Sequence, residues 1–155
     1  MSRAAASVSV VTTEGDAGRD GVTVSSMTSV SADPPTMLVC INRESNSADL
    51  IQQNGAFCIN LLRDDQAEIS NVFASFCEPP GGDKFNVATW ETAPSGAPRL
   101  VEALVTFDCK VVDCHRSGSH FIIIGEVIET RIDDGTPLIY GSRSYGIPKY
   151  HSGTS

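Results

Sequence analysis

Val8, Val10 and Val11, followed by Thr12 and Thr13, form a β-branched run that breaks at Glu14, Gly15 and Asp16. It resumes after Gly21 as Val22, Thr23, Val24 and Ser25, the pattern of two strands joined as a hairpin. Pro34 and Pro35 precede the apolar run 37–42. A proline lacks the backbone donor that an interior strand position needs, so it belongs at the start of that strand. Ser45 and Ser47 are candidate N-caps for a short helix over 48–54, with Ile51 on its inner face and Gly55 as its stop. A strand over 57–62 follows. Asp64 or Asp65 then caps a second helix, whose Ile69, Val72, Phe73 and Phe76 recur at three- and four-residue spacing as one apolar stripe. Pro79, Pro80, Gly81 and Gly82 place 77–83 in a loop. Over 104–111, Val105, Phe107, Cys109 and Val111 face one way and Thr106, Asp108 and Lys110 the other, a half-buried strand. Arg116, Ser117 and Gly118 make a turn, and the return strand over 120–132 is apolar in its first half, as where both faces are covered. Residues 151–155 read as a loose tail.

Several strands with two short helices, and no regular strand–helix alternation, predict a mainly β fold: an antiparallel barrel with helical insertions. With 155 residues, 41% of them hydrophobic, one domain over 1–155 is expected. The longest apolar runs, 37–41 and 121–124, are strand-length and far below a bilayer span, and residues 1–7 lack the apolar core of a signal peptide. The expectation is a cytoplasmic protein without a membrane segment.

Five cysteines, an odd number without paired C-x-x-C spacing, read as reduced core thiols. Cys109, Cys114 and His115 approach a metal-ligand cluster, but no second pair of ligands stands at a supporting distance, so no metal is expected. The 19 acidic against 11 basic residues, a formal charge of -8, oppose polyphosphate contacts and argue against nucleic acid as a partner. An anionic ligand must be held by local donors: backbone N–H groups, hydroxyls and one or two arginines.

Three stretches carry candidate chemistry. Residues 21–31 gather small hydroxyl side chains at the end of a strand, able to meet a flat polar ring or a phosphate without bringing charge, although composition alone favours an ordinary Thr/Ser-rich strand and turn. Residues 42–47 combine Arg43 with hydroxyls at a predicted helix N-terminus, either a phosphate site or an ordinary cap beside a solvated arginine. His120 follows a hairpin turn ahead of an apolar strand, where a structural hydrogen bond competes with a role in chemistry. No G-x-G-x-x-G, Walker loop, nucleophile elbow or paired-histidine motif occurs.

Taken in order, these pieces resemble the short-chain flavin reductase family, the FMN-binding split-barrel reductases that serve two-component flavin monooxygenases. The matching text is Val-Val-Thr-Thr at 10–13, Gly-Val-Thr-Val-Ser-Ser-Met at 21–27, Ser-Val-Ser-Ala-Asp-Pro-Pro at 29–35, Leu-Val-Cys-Ile-Asn at 38–42, Asn46 and Ser47. It continues in Gly55-Ala56-Phe57, Asn60-Leu61-Leu62, Phe73-Ala74, Asp83-Lys84-Phe85, Cys109, His120 and Ile124-Gly125-Glu126-Val127, covering about residues 8–140. Ser119 stands where the family commonly has Asp, and the helix that commonly precedes the first strand is nearly absent.

The resemblance implies an antiparallel split β-barrel and a homodimer with FMN or FAD near the subunit interface. It implies that the ring lies against Thr23, Val24, Ser25, Ser26 and Met27 and against Cys40, Ile41 and Asn42, with Phe85 among the flavin contacts and the phosphate near Arg43, Ser45 and Ser47. NADH or NADPH then approaches beside His120, and the reduced flavin passes to a partner monooxygenase. Hydride transfer needs the two rings stacked more than it needs side-chain acid–base chemistry. Two other readings are an FMN-dependent oxidase of the pyridoxamine-phosphate oxidase kind, for which no second Arg/Lys cluster is found, and a non-catalytic flavin carrier.

Overall fold

In the computed structural model, which describes residues 2–153, the β-branched runs form strands where their spacing places them. The elements are β1 (Ala6–Ser7), β2 (Ser9–Gly15), β3 (Gly18–Val24), β4 (Met27–Ala32), β5 (Pro35–Asn42), helix α1 (Asn46–Asn54) and β6 (Ala56–Leu61). They continue with helix α2 (Ala67–Phe73), β7 (Trp90–Thr92), β8 (Pro98–Leu100), β9 (Val105–Ser117), β10 (His120–Ile132), β11 (Ile139–Gly141) and β12 (Ser144–Gly146). Short 3-10 turns at Pro80–Gly82 and Lys84–Val87 lie in the loop after α2.

Seven strands form one antiparallel sheet in the order β3-β2-β6-β9-β10-β5-β4. β3 and β4 lie at its opposite edges, yet only Ser25 and Ser26 separate them in the chain. The sheet therefore curls until its two edges meet at this link, and it stays split along the rest of the seam. This is the antiparallel split barrel expected from the sequence.

Two apolar clusters hold it. One fills the inside of the curl with Val11, Val39, Ile41, Phe57, Ile59 and Ile123 under α1, which contributes Ala48 and Ile51. The other lies on the outer side of β2 and joins Val8, Val10 and Leu62 to Ile69, Val72 and Phe73 of α2. β2 is buried on both faces, which is why its sequence runs valine and threonine without a charge until Glu14. Gly125 is required where β10 bulges: a Cβ there would stand 2.6 Å from the Phe57 ring. Gly55 ends α1 with φ +74, a left-handed cap that costs glycine nothing.

Several expectations need correction. α2 starts behind Gln66, not Asp64 or Asp65; the Gln66 side chain accepts from the Arg63 amide at 2.8 Å and so fixes the entry to the helix. Phe76 does not join the apolar stripe. The helix ends at Phe73, Ser75 reverses the chain with φ +61, and Phe76 is left 72% exposed. The supposedly solvated face of β9 is covered, since Thr106 and Asp108 are buried and the β7–β8 loop lays Ser95 over Asp108. β9 also runs on to Ser117, so the turn is Gly118 and Ser119. In the first half of β10 only the inward residues are fully covered; Ile122 and Ile124 on the outer face are half-buried. The tail expected at 151–155 is described to residue 153, where it forms no helix or strand; 154 and 155 lie outside the described residues. Among the described residues, no helix is long and apolar enough to cross a membrane.

Candidate functional site

The seam between the two sheet edges is built by Ser25 and Ser26. The hydroxyl of Ser26 donates to the Cys40 carbonyl at 2.9 Å, and the Cys40 amide donates to the Ser26 carbonyl at 3.1 Å. The seam thus locks directly onto the middle of the apolar strand β5. Along β5 the side chains alternate. Met37, Val39 and Ile41 enter the core, whereas Leu38, Cys40 and Asn42 stand on the outer face.

The β5–β10 register extends that face. His120 pairs with Asn42, Ile122 with Cys40 and Ile124 with Leu38, and directly paired residues project to the same side. Leu38, Cys40, Ile122 and Ile124 make a half-buried, uncharged shelf, and Asn42 and His120 form its rim at the open end. His120 is exposed, and its Nδ1 lies 2.8 Å from the Ser119 hydroxyl.

Beyond the rim the chain turns into α1. Asn42 Oδ1 accepts from the Glu44 amide at 2.9 Å, an Asx turn that points the following residues away from the strand. Ser45 occupies the cap position of α1 without a side-chain capping bond. Arg43 donates from Nη1 to the Gly118 carbonyl at 3.0 Å. Ser47 is buried, and its hydroxyl donates to Asp20 at 2.9 Å; Lys84 reaches the other oxygen of Asp20 at 3.3 Å.

The structure therefore brings Ser25, Ser26, Cys40, Asn42, Arg43, Ser45 and His120 to one end of the barrel with some exposure. Val24 and Ile41 are core residues there, so they can give a ligand only main-chain groups, and Met27 is packed against the same core. Thr23 donates its hydroxyl to the Ser70 carbonyl at 2.7 Å. Phe85 is buried in an aromatic cluster, with ring centroids 5.2 Å from Phe73 and 5.1 Å from Trp90, and the Arg19 guanidinium covers it at 4.4 Å.

Sequence reasoning passed over Tyr140 and Tyr145. They stack edge to face, 5.2 Å apart, and with Thr23, Ser25, Ser70 and Phe76 they line a cavity of about 150 Å³ beside the seam. Tyr145 is fixed by contacts to Ser70 at 2.8 Å and Asn71 at 2.7 Å. The signal was present in the repeated aromatic–glycine pairs Tyr140-Gly141 and Tyr145-Gly146, which form the short β11–β12 hairpin.

An uncharged apolar shelf rimmed by hydroxyl, amide and imidazole groups suits a flat heteroaromatic ring with polar edges, and the free donors of Arg43 suit an anion tethered to it. The model of the flavin reductase like domain matches residues 1–148. The FMN reductase (NADH) RutF of Methylorubrum extorquens is 40% identical over 146 residues, covering 94% of this chain and 70% of that protein. The flavin reductase PheA2 superposes with a TM-score of 0.88 at 32% identity, covering 97% of this chain and 94% of that one. Nitrilotriacetate monooxygenase component B from Mycobacterium thermoresistibile gives 0.89 at 28% identity, covering 99% and 86%. A family match over nearly the whole length, with the fold of solved flavin reductases beneath it, makes this chain a member of the flavin reductase like family.

Proposed function

We propose that the protein is an NADH-dependent flavin reductase that binds FMN at the shelf, reduces it, and releases it to a flavin-dependent monooxygenase. The observation that carries this reading is the apolar row Leu38, Cys40, Ile122 and Ile124 with His120 and Asn42 at its rim. The name of the FMN reductase relative supports FMN and NADH, and that of the monooxygenase component supports a receiving partner. FAD and NADPH are the alternatives to be tested.

When bound, flavin supplies the electron-accepting ring to which a reduced nicotinamide passes hydride. The chain's task is alignment. Its shelf provides a flat apolar seat, and the Ser25 and Ser26 seam supplies main-chain and hydroxyl groups at the ring edge. Arg43 and Ser45, which keep partial exposure, face the phosphate, while Ser47 supports α1 from beneath through Asp20. His120 offers a hydrogen bond to the nicotinamide and orients it without exchanging a proton in the transfer. The half-buried shelf also favours a homodimer in which a second copy covers the outer face. A cytoplasmic setting and a single domain over 1–155 complete the proposal.

Anaerobic mixing of the purified protein with FMN or FAD, and NADH or NADPH, tests it. Rapid loss of flavin absorbance with FMN and NADH is expected. Stoichiometric flavin binding without reduction by either nicotinamide would instead establish a carrier.

A further inference from the structure

Arg43 is the first residue beyond β5, and it grips the β9–β10 turn twice. Its amide donates to the Ser119 carbonyl at 2.9 Å, and its Nη1 donates to the Gly118 carbonyl at 3.0 Å. Ser119 in turn contacts His120 Nδ1 at 2.8 Å. Residues 115–120 are all exposed, and Gly118 has φ +57, so this two-residue turn has no buried side chain of its own to fix it. The β5–β10 ladder holds the His120 main chain opposite Asn42, but the turn that sets Ser119 against its imidazole is tied to β5 by hydrogen bonds from Arg43, not by packing. The bond from Nη1 leaves Nε and Nη2 as free donors in a rigid planar fork, so the same guanidinium can hold the turn and still meet an anion.

We propose that Arg43 is a positioning residue for the nicotinamide side of the reaction: its guanidinium holds the Gly118–Ser119 turn so that His120 stands at a fixed height beside the shelf. This rests on the flavin reductase reading and gives Arg43 a role separate from the flavin phosphate. Removing the side chain leaves the main-chain bond to Ser119 and frees the Gly118 carbonyl. The turn then samples more positions, and the nicotinamide meets His120 in fewer of its encounters.

The test uses riboflavin, which has no phosphate, as the saturating acceptor for Arg43→Ala and Arg43→Lys. In Arg43→Ala the KM for NADH should rise about five- to tenfold, less than the full worth of a charge-assisted bond because the main-chain bond to Ser119 remains, with a smaller change in the limiting rate. Riboflavin Kd and Tm should stay near the wild-type values, and Arg43→Lys, which keeps one charged donor, should recover part of the loss. An unchanged KM for NADH would overturn the proposal, as would equal losses of riboflavin affinity, Tm and NADH use. A wild-type protein that binds flavin but never oxidises NADH would defeat the reductase reading itself. The positioning role is then judged by the His120 imidazole NMR signals: broadening or shift in Arg43→Ala sustains it, and identical signals overturn it.

Discussion

Ser26 and Cys40 exchange two hydrogen bonds, hydroxyl to carbonyl at 2.9 Å and amide to carbonyl at 3.1 Å, across the only two residues that link β3 to β4. Ser26→Ala removes the first and keeps the second. The expected cost is about 0.5–1.5 kcal/mol of stability, together with weaker flavin binding, because the seam loses its fixed distance from the shelf. Ser26→Thr keeps the hydroxyl and should lie close to wild type. Urea unfolding and flavin titration on both variants check this; equal behaviour of the two would remove the hydroxyl from the account.

His120 is exposed, so His120→Ala should leave Tm within about 1 °C to 2 °C of wild type, as surface changes usually do. Its KM for NADH should rise while FMN affinity stays nearly constant. A variant that loses Tm, flavin affinity and NADH use together would make His120 a structural residue. Ser119→Asp places a carboxylate in contact with the same ring and should alter the nicotinamide step alone.

The five thiols divide by burial. Cys77 is exposed, Cys40 on the shelf and Cys114 on β9 are half-buried, and Cys58 and Cys109 are fully buried. Burial, reinforced by the Asp108 carboxylate, pushes the Cys109 thiol up to about 12, so it stays protonated at neutral pH and resists alkylation. In the folded protein Cys77 should react first, and Cys58 and Cys109 only on unfolding. FMN should shield Cys40 and leave the Cys77 rate unchanged. Mass spectrometry of timed alkylation decides the matter; if FMN leaves Cys40 as reactive as before, the ring does not lie on this shelf.

Two carboxylates beside Arg99 give opposite pH signatures. Burial raises the pKa of Asp108 despite hydrogen bonds from Ser95 and the nearby Arg99 charge. Its contribution to stability is therefore greatest in acid and is lost as pH rises through its raised folded value. The hydrogen bond from Arg99 lowers the pKa of Glu129, with Arg131 adding to the effect, so its contribution is present near neutrality and is lost as pH falls through its lowered value. Relative to wild type, Asp108→Asn should gain stability between about pH 3 and pH 7, and Glu129→Gln should lose it over the same interval. Urea midpoints across that range test both; parallel profiles for all three proteins would show that neither carboxylate titrates differently on folding.

The elements most legible in the sequence were those whose side-chain period matches their burial. The run 37–42 and the helix closed by Gly55 were of this kind. β9 was misread because its polar alternation looked solvated, and only the distant Ser95 loop reveals that Asp108 is covered. Phe76 misled for a related reason: its spacing from Val72 and Phe73 is helical, but Ser75 turns the chain before the stripe reaches it. At the candidate site, the segments 23–27 and 40–43 were found as text. They meet through the adjacent β4–β5 pairing, whereas bringing His120 to them depends on a sheet order that sets β10 beside β5 across some eighty residues of chain, which no local pattern encodes. The inward turn of Ser47 toward Asp20 and the burial of Phe85 are likewise consequences of packing that residue type alone does not announce.

Because Ser25 and Ser26 join two free edges of one sheet, a molecule seated across them becomes a mechanical tie between strands that share no backbone ladder. Without that tie, β3 and β4 each open from an edge at their own rate. With it, their breathing becomes one event. Amide hydrogen exchange should then slow in β3 and β4 together on flavin binding, by the same free energy in both, although no hydrogen bond passes from one to the other.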